Sequence, residues 1–226
     1  MAERDISIVI PVYNEATTIG RLLENLSEFE GVELIVVDGG STDKTADLAA
    51  GKARVVKSAL GRGAQMNAGA KIATGSVLLF LHADARPGPN FPDGIRRAMD
   101  DSATSGGNLD IRYEGGDRVA EVFTRVNRWR RSWGIIYGDS GIFCRKTVFD
   151  QLDGYRPWPV MEDYDFARRL GKAGKLALLD EPIWVSDRRW RNAGLLRTLW
   201  SWVLIQGLYS LGVPPERLAR IYKHVR

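Results

Sequence analysis

One cysteine in 226 residues excludes an internal disulfide, and the lone Cys144 suits a reducing cytosol. The opening residues, MAERDISIVIPV, carry acidic side chains and too short an apolar run for a secretory signal, so a cytoplasmic location is expected. No G-x-G-x-x-G follows the first apolar run and no Walker-type lysine loop occurs, which argues against a dinucleotide fold and a P-loop. No internal repeat or low-complexity segment interrupts the chain. Charge of one sign is only mildly in excess, at +4, and the excess is local. Arg125, Arg128, Arg130 and Arg131 lie close together, as do Arg188, Arg189 and Arg191. Such clusters suit an anionic small molecule, a phosphate or a lipid surface, and nucleic acid is not the expected partner.

What is present is ordinary for a globular protein: 44% apolar and 27% charged residues, enough to bury a real core in one good-sized domain. Apolar runs at 6–12, 34–37, 54–57 and 77–81 read as strands, with helical spacing between them at 19–29, after Ser41 or Thr42, and at 64–73. Thr17 is the expected cap of the first helix. This alternation implies an α/β fold with a mostly parallel sheet flanked by helices. Beyond a helix at 91–100 the pattern changes to a strand at 109–113 and a basic amphipathic helix at 118–133, with Val119, Val122, Phe123 and Val126 on one side. A strand at 142–145, helices at 148–152 and 162–173, and two short strands at 176–179 and 183–185 follow. The tail reads as two helices parted by Pro214-Pro215.

The stretch SVLLFLHADARP, residues 76–87, organises the rest. Its five consecutive apolar residues suit a strand buried on both faces, and the strand runs straight into His82-Ala83-Asp84. At strand spacing His82 and Asp84 would point the same way at the carboxyl edge of the sheet, where open α/β sheets bind ligands. Two such groups could hold a divalent cation against a diphosphate; alternatively, Asp84 caps the turn and His82 packs at the strand end. Asp38 closes the second strand in the same manner, as recognition of a base or ribose requires. The glycines of GRGAQMNAGA either let Arg62 reach a phosphate or allow tight turns and close helix packing.

Taken together, VIPVYNEATTI, VVDGGSTDKT, GRGAQMNAGA, FLHAD and MEDYDFARRL resemble glycosyltransferase family 2 proteins of the GT-A fold, over most of residues 5–190. Within that family the likeness is strongest to the small bacterial group labelled arsenosugar-biosynthesis-type glycosyltransferases, through GDSGIFCRK, RRWRNAGLLRTLW and GVPPERLARIY as well. The resemblance implies a GT-A domain over residues 1–190 and a helical appendage over 191–226. It also implies a nucleotide-diphosphate sugar donor, a hydroxyl-bearing acceptor, a divalent cation (Mn²⁺ or Mg²⁺) and inversion at the anomeric carbon. By motif position Pro11, Val12, Asn14, Glu15, Asp38, Arg62 and Asn67 would lie around the nucleotide, and Asp84 would be the metal ligand. His82 stands where the family's D-x-D motif has its first carboxylate, and imidazole matches Mn²⁺ better than Mg²⁺. Glu162-Asp163 matches the family's acidic pair, whose Asp is the general base; acids at a helix start also complement the helix dipole. Arg189-Trp190 resembles an ending that related synthases place near the diphosphate and acceptor, and Asp139 would approach the acceptor.

Two further readings of the fold stay open on the sequence: a nucleotidyltransferase releasing pyrophosphate, and a non-catalytic nucleotide-sugar-binding protein. Residues 198–215 carry no charge and many bulky apolar side chains. They are expected to be covered by protein, within the monomer or in a homodimer, with peripheral contact on the inner membrane face as the alternative.

Overall fold

The computed structural model describes residues 5–186 and 195–225. Three strands, β1 (Ile6–Val12), β2 (Val32–Asp38) and β3 (Arg54–Lys57), alternate with helices α1 (Ile19–Ser27) and α2 (Thr45–Ala49). Next come α3 (Arg62–Ile72), β4 (Val77–Phe80), β5 (Arg86–Pro87), α4 (Phe91–Asp100) and β6 (Thr104–Tyr113). The second half holds α5 (Arg118–Ser132), β7 (Ile142–Arg145), α6 (Lys146–Gln151), α7 (Glu162–Ala173), β8 (Lys175–Val185), α8 (Leu195–Ser210) and α9 (Pro215–Val225). Among the described residues the strands form one sheet in the order β3-β2-β1-β4-β7-β6-β8-β5. The first four are parallel, as the alternation requires, and β6 is parallel to β8. β7 runs antiparallel between β4 and β6, and β5 antiparallel to β8.

The apolar runs of β1 and β4 sit at the centre of the sheet, covered on both faces, so alternation of polar and apolar residues is absent there. Ile6, Ile8, Ile10 and Val12 face α1, where Ile19, Leu22, Leu23 and Leu26 form one buried stripe. Val9, Ile35 and Val37 face α3. A Cβ on Gly69 would come 2.3 Å from Val9 Cγ1, so the small residues of α3 are what lets that helix lie directly on the sheet.

Several expectations change in the details. Thr18, not Thr17, precedes α1, and its hydroxyl donates to the Glu15 carbonyl (3.1 Å) and carboxylate (2.9 Å). Ser41 and Thr42 do not start α2, because their polar groups are taken by Asp38 and Asn14. The two short strands expected at 176–179 and 183–185 are one strand, β8, paired along β6 through a register shift between Asn108 and Asp110.

The larger change is the roll of α5. Ala120 and Phe123 point inward, while Val119, Val122 and Val126 are exposed. Buried Asp110 on β6 sets that roll by pairing with Arg128, and with Arg131 at 3.6 Å; the Arg131 guanidinium also donates to the Leu179 carbonyl at 2.7 Å. The basic cluster is thereby partly neutralised from within, rather than left whole for an anionic ligand. Residues 198–215 are covered by protein on one face only: Thr198, Ser201 and Ile205 are buried, whereas Trp200, Val203 and Leu211 are exposed. No described helix is long and apolar enough to cross a membrane.

Candidate active site

Because β1, β2 and β4 are parallel, the loops that follow them leave one edge of the sheet together. Antiparallel β7 begins at that same edge, where Ile142 pairs with Phe80. Pro11 and Val12 close β1 opposite Val37 and Asp38. Buried Gln65 on α3 donates from Nε2 to the Val12 and Val37 carbonyls, both at 2.9 Å, and so ties the two strand ends together.

Asp38 is 2% exposed, and its Oδ1 accepts from the Ser41 N–H (3.0 Å) and hydroxyl (2.5 Å). Asn14, in the left-handed region at φ 55°, accepts from the Thr42 N–H at 2.9 Å and donates its own N–H to the Ser41 hydroxyl at 2.9 Å. The Glu15 N–H donates to Thr45 Oγ1 at 2.8 Å, and the Ala16 N–H donates to Asp43 at 3.2 Å. A hydrogen bond from the Thr45 hydroxyl holds the Asp43 carboxyl below its ordinary pKa. The two motif loops are thus laced into one polar rim containing Asn14, Glu15 and Asp38.

The glycine-rich segment divides its labour differently from expectation. Arg62 is exposed at the first position of α3. A Cβ on Gly63 would come 2.5 Å from the Arg156 carbonyl, so this glycine permits close packing. Asn67 commits its amide to the Tyr155 backbone, donating to the carbonyl (2.8 Å) and accepting from the N–H (2.9 Å). The structure therefore gives Asn67 a supporting role where the sequence reading placed a nucleotide contact.

β4 ends at Phe80, so His82 and Asp84 do not share a strand face. They occupy a turn closed by the Ala85 N–H on the His82 carbonyl at 3.1 Å. Asp84 is exposed, and His82 is partly buried. Gly138 joins this turn to the acidic pair: a Cβ there would lie 3.3 Å from His82 Nε2 and 3.1 Å from Asp163 Oδ2. The Gly138 N–H donates to Asp163 Oδ2 at 2.7 Å, and the Tyr164 N–H donates to Asp163 Oδ1 at 2.7 Å. Both carboxylate oxygens are oriented by backbone donors and keep lone pairs for a further partner.

Glu162 is 3% exposed beneath this pair. Its pKa is pushed up to about 7, first by burial and then by the Asp163 charge, against the pull of Arg62 and of its own backbone N–H. Met161, which caps α7, is held at φ 64°, a backbone conformation uncommon outside glycine that sets the entry of the chain into the site. Asp165 is turned away into an ion pair with Arg169 at 2.7 Å.

The divalent cation implied by the resemblance can be tested against these donors. No group of three or more His, Cys, Asp or Glu side chains among the described residues could hold an ion. Asp84, exposed and outside the hydrogen bonds and ion pairs of the described residues, and His82 supply one carboxylate and one imidazole. That set fits an ion whose remaining positions are filled by substrate phosphates and water, and not a closed protein cage. Arg188, Arg189 and Trp190 lie outside the described residues.

Sequence reasoning missed Gln65 and Tyr137. Tyr137 stacks on Tyr164, with ring centroids 5.6 Å apart, and its hydroxyl donates to Gln206 of α8. Burial pushes the Tyr137 hydroxyl up to about 12, so it remains a donor. Only an unpaired glutamine within the uncharged tail could have signalled this contact.

A family model described as glycosyl transferase family 2 matches residues 7–150. A PGL/p-HBAD biosynthesis glycosyltransferase of Mycobacterium bovis (strain BCG / Pasteur 1173P2) is 37% identical over 189 residues, 74% of this chain and 69% of that protein. An uncharacterized protein of Mycobacterium tuberculosis (strain CDC 1551 / Oshkosh) is 32% identical over 138 residues, 55% of this chain and 43% of that protein. The chain thus spans less than half of that second relative. Among solved structures, glucosyl-3-phosphoglycerate synthase from Mycobacterium tuberculosis, in complex with Mn²⁺, UDP-glucose and phosphoglyceric acid, has a TM-score of 0.66 at 24% identity, over 94% of this chain and 82% of that one. Residues 1–349 of S. aureus TarS in complex with UDP reach 0.66 at 19% identity, over 80% of this chain and 60% of that one. At these identities the structural likeness speaks for the fold, the α/β architecture of GT-A glycosyltransferases. With the family model matching well over half of its residues, the chain belongs to glycosyltransferase family 2.

Proposed function

We propose that the protein transfers a sugar from a nucleotide-diphosphate donor to an acceptor hydroxyl, with inversion at the anomeric carbon. The observation that carries this reading is the bond from the Gly138 N–H to Asp163, with His82 beside the same glycine. It joins a proton-accepting carboxylate to the strand-end turn where a diphosphate would lie. Solved neighbours that hold UDP support a nucleotide donor, and one that also holds Mn²⁺ supports a cation.

In this reading the rim of Asn14, Glu15 and Asp38 holds the nucleoside. Asp163 accepts the hydroxyl proton as the acceptor oxygen bonds to the anomeric carbon, and the bond from that carbon to the diphosphate breaks. A single displacement inverts the centre. Asp84 and His82 would hold Mn²⁺ or Mg²⁺, which when bound supplies positive charge against the leaving diphosphate. Exposed Arg62 adds positive charge of the chain's own. A second assignment of the base rests on Glu162, whose pKa of about 7 is matched to proton transfer near neutral pH.

A thermal-shift panel of nucleotide-diphosphate sugars, with and without Mn²⁺, tests the donor. A ligand at 100 times its Kd stabilises by about 2.7 kcal/mol, a rise of roughly 5–10 °C for a chain of this size. Product analysis on the stabilising donor should find free nucleoside diphosphate. Release of pyrophosphate would instead identify a nucleotidyltransferase, and binding without turnover a sensor.

A further inference from the structure

We propose that the outward face of α5 docks on an anionic lipid bilayer. Val119, Val122, Val126, Trp129 and Trp133 recur at intervals of three and four, which places them on one stripe of the helix. All five are exposed, from 36% at Val119 to 71% at Trp133. A continuous apolar stripe of this length on a surface marks an interaction site. The fold itself presents it, because Asp110 grips Arg128 and Arg131 on the opposite side of the helix and fixes its roll.

Charge selects the occupant. Arg128 pairs with Asp110, Arg131 pairs with Asp110 and Asp180, and Arg130 lies over the Tyr137 ring. That leaves Arg118 and Arg125 exposed and outside any ion pair among the described residues, while Glu121 is the single acid within the helix. A second copy of this face would bring those arginines against themselves. Anionic headgroups supply the missing counter-charge, and acyl chains receive the valines. Trp129 and Trp133, 6.1 Å apart, have the apolar body and polar N–H that suit the boundary between the two. The proposal does not depend on the catalytic reading.

Flotation of the full chain with phosphatidylglycerol-rich and with pure phosphatidylcholine vesicles tests it. Wild type should float with the anionic vesicles and not with the neutral ones. The Trp129→Ser/Trp133→Ser and Arg118→Glu/Arg125→Glu variants should each lose roughly tenfold or more in partitioning. These side chains are exposed, so unchanged circular dichroism is expected, and Trp200→Ser on α8 should float like wild type. Three outcomes would overturn the proposal: wild type that stays soluble, α5 variants that float unchanged, or light scattering that finds a dimer broken by the tryptophan changes.

Discussion

Two glutamates, at opposite ends of the parallel strands, are both nearly closed to solvent and respond in opposite directions. Glu33 is the second residue of β2 and is 4% exposed; Glu162 begins α7 beside the candidate site and is 3% exposed. Burial pushes the Glu33 carboxyl up, but the Ser7 hydroxyl (2.5 Å), the Thr74 N–H (2.7 Å), the Thr74 hydroxyl (3.0 Å) and the Arg54 charge outweigh it, and its pKa is lowered. At Glu162 burial and the Asp163 charge prevail, and the pKa rises to about 7. The difference lies in the donors around Glu33, and in the deeper enclosure and the neighbouring Asp163 charge at Glu162. One end of the sheet satisfies its buried carboxylate and uses it as a fastener; the other leaves a buried acid poised near neutrality, as reacting sites do.

The largest effect should come from the reacting end. Asp163→Asn keeps the shape of Asp163 and can accept one of its two backbone hydrogen bonds, but it cannot take a proton. It should lower transfer by about 100- to 10,000-fold while donor affinity, read by calorimetry, changes little. Glu162→Gln, assayed in parallel, sharpens the assignment: if it is inactive and Asp163→Asn is within a few-fold of wild type, Glu162 is the base.

Next in size is the fastening end. Glu33→Ala strands three donors that now share its carboxylate, each worth about 1–3 kcal/mol when left unsatisfied. A loss of roughly 3–5 kcal/mol in denaturant unfolding at pH 7 is expected. A loss below 1 kcal/mol would mean that Glu33 is not the fastener described.

The smallest effect has the opposite sign. With a pKa of about 7 in the folded chain against a reference of 4.5, Glu162 binds more protons folded than unfolded across that window. Stability therefore falls as pH rises from about 4.5 to 7, and the full penalty stands above it. Glu162→Gln should match wild type near pH 4 and exceed it at pH 8, by at most about 3 kcal/mol. An equal offset at both pH values would remove the contrast with Glu33.

Much of this arrangement was legible in the chain. The strand-end positions of Asp38 and Val12, the helix opening at Glu162 and the tail break at Pro214-Pro215 all follow from local pattern. The roll of α5 was not legible, because it depends on Asp110, separated by 18 residues from Arg128 and carried on another element. The strand spacing of His82 and Asp84 misled, because β4 ends at Phe80, one residue before the apolar run does, and His82 already opens a turn. The role of Asn67 lay 88 residues away, at Tyr155. Periodicity reports which face is apolar; it does not report which distant polar group claims a side chain.

The lacing of the rim around Asn14 and Asp38 also bears on the order in which the protein is made. Those hydrogen bonds join residues 27 to 30 apart in the chain, and the β1–β2 pairing they extend is similarly local. The pairing of β6 with β8 joins residues about 71 apart, Thr104 with Lys175. Short-range contacts close with less loss of chain entropy. At synthesis rates of about 5–20 residues per second, the rim can close several seconds before β8 leaves the ribosome. A nascent chain would then carry a closed polar rim while the strand that completes its sheet was still being translated.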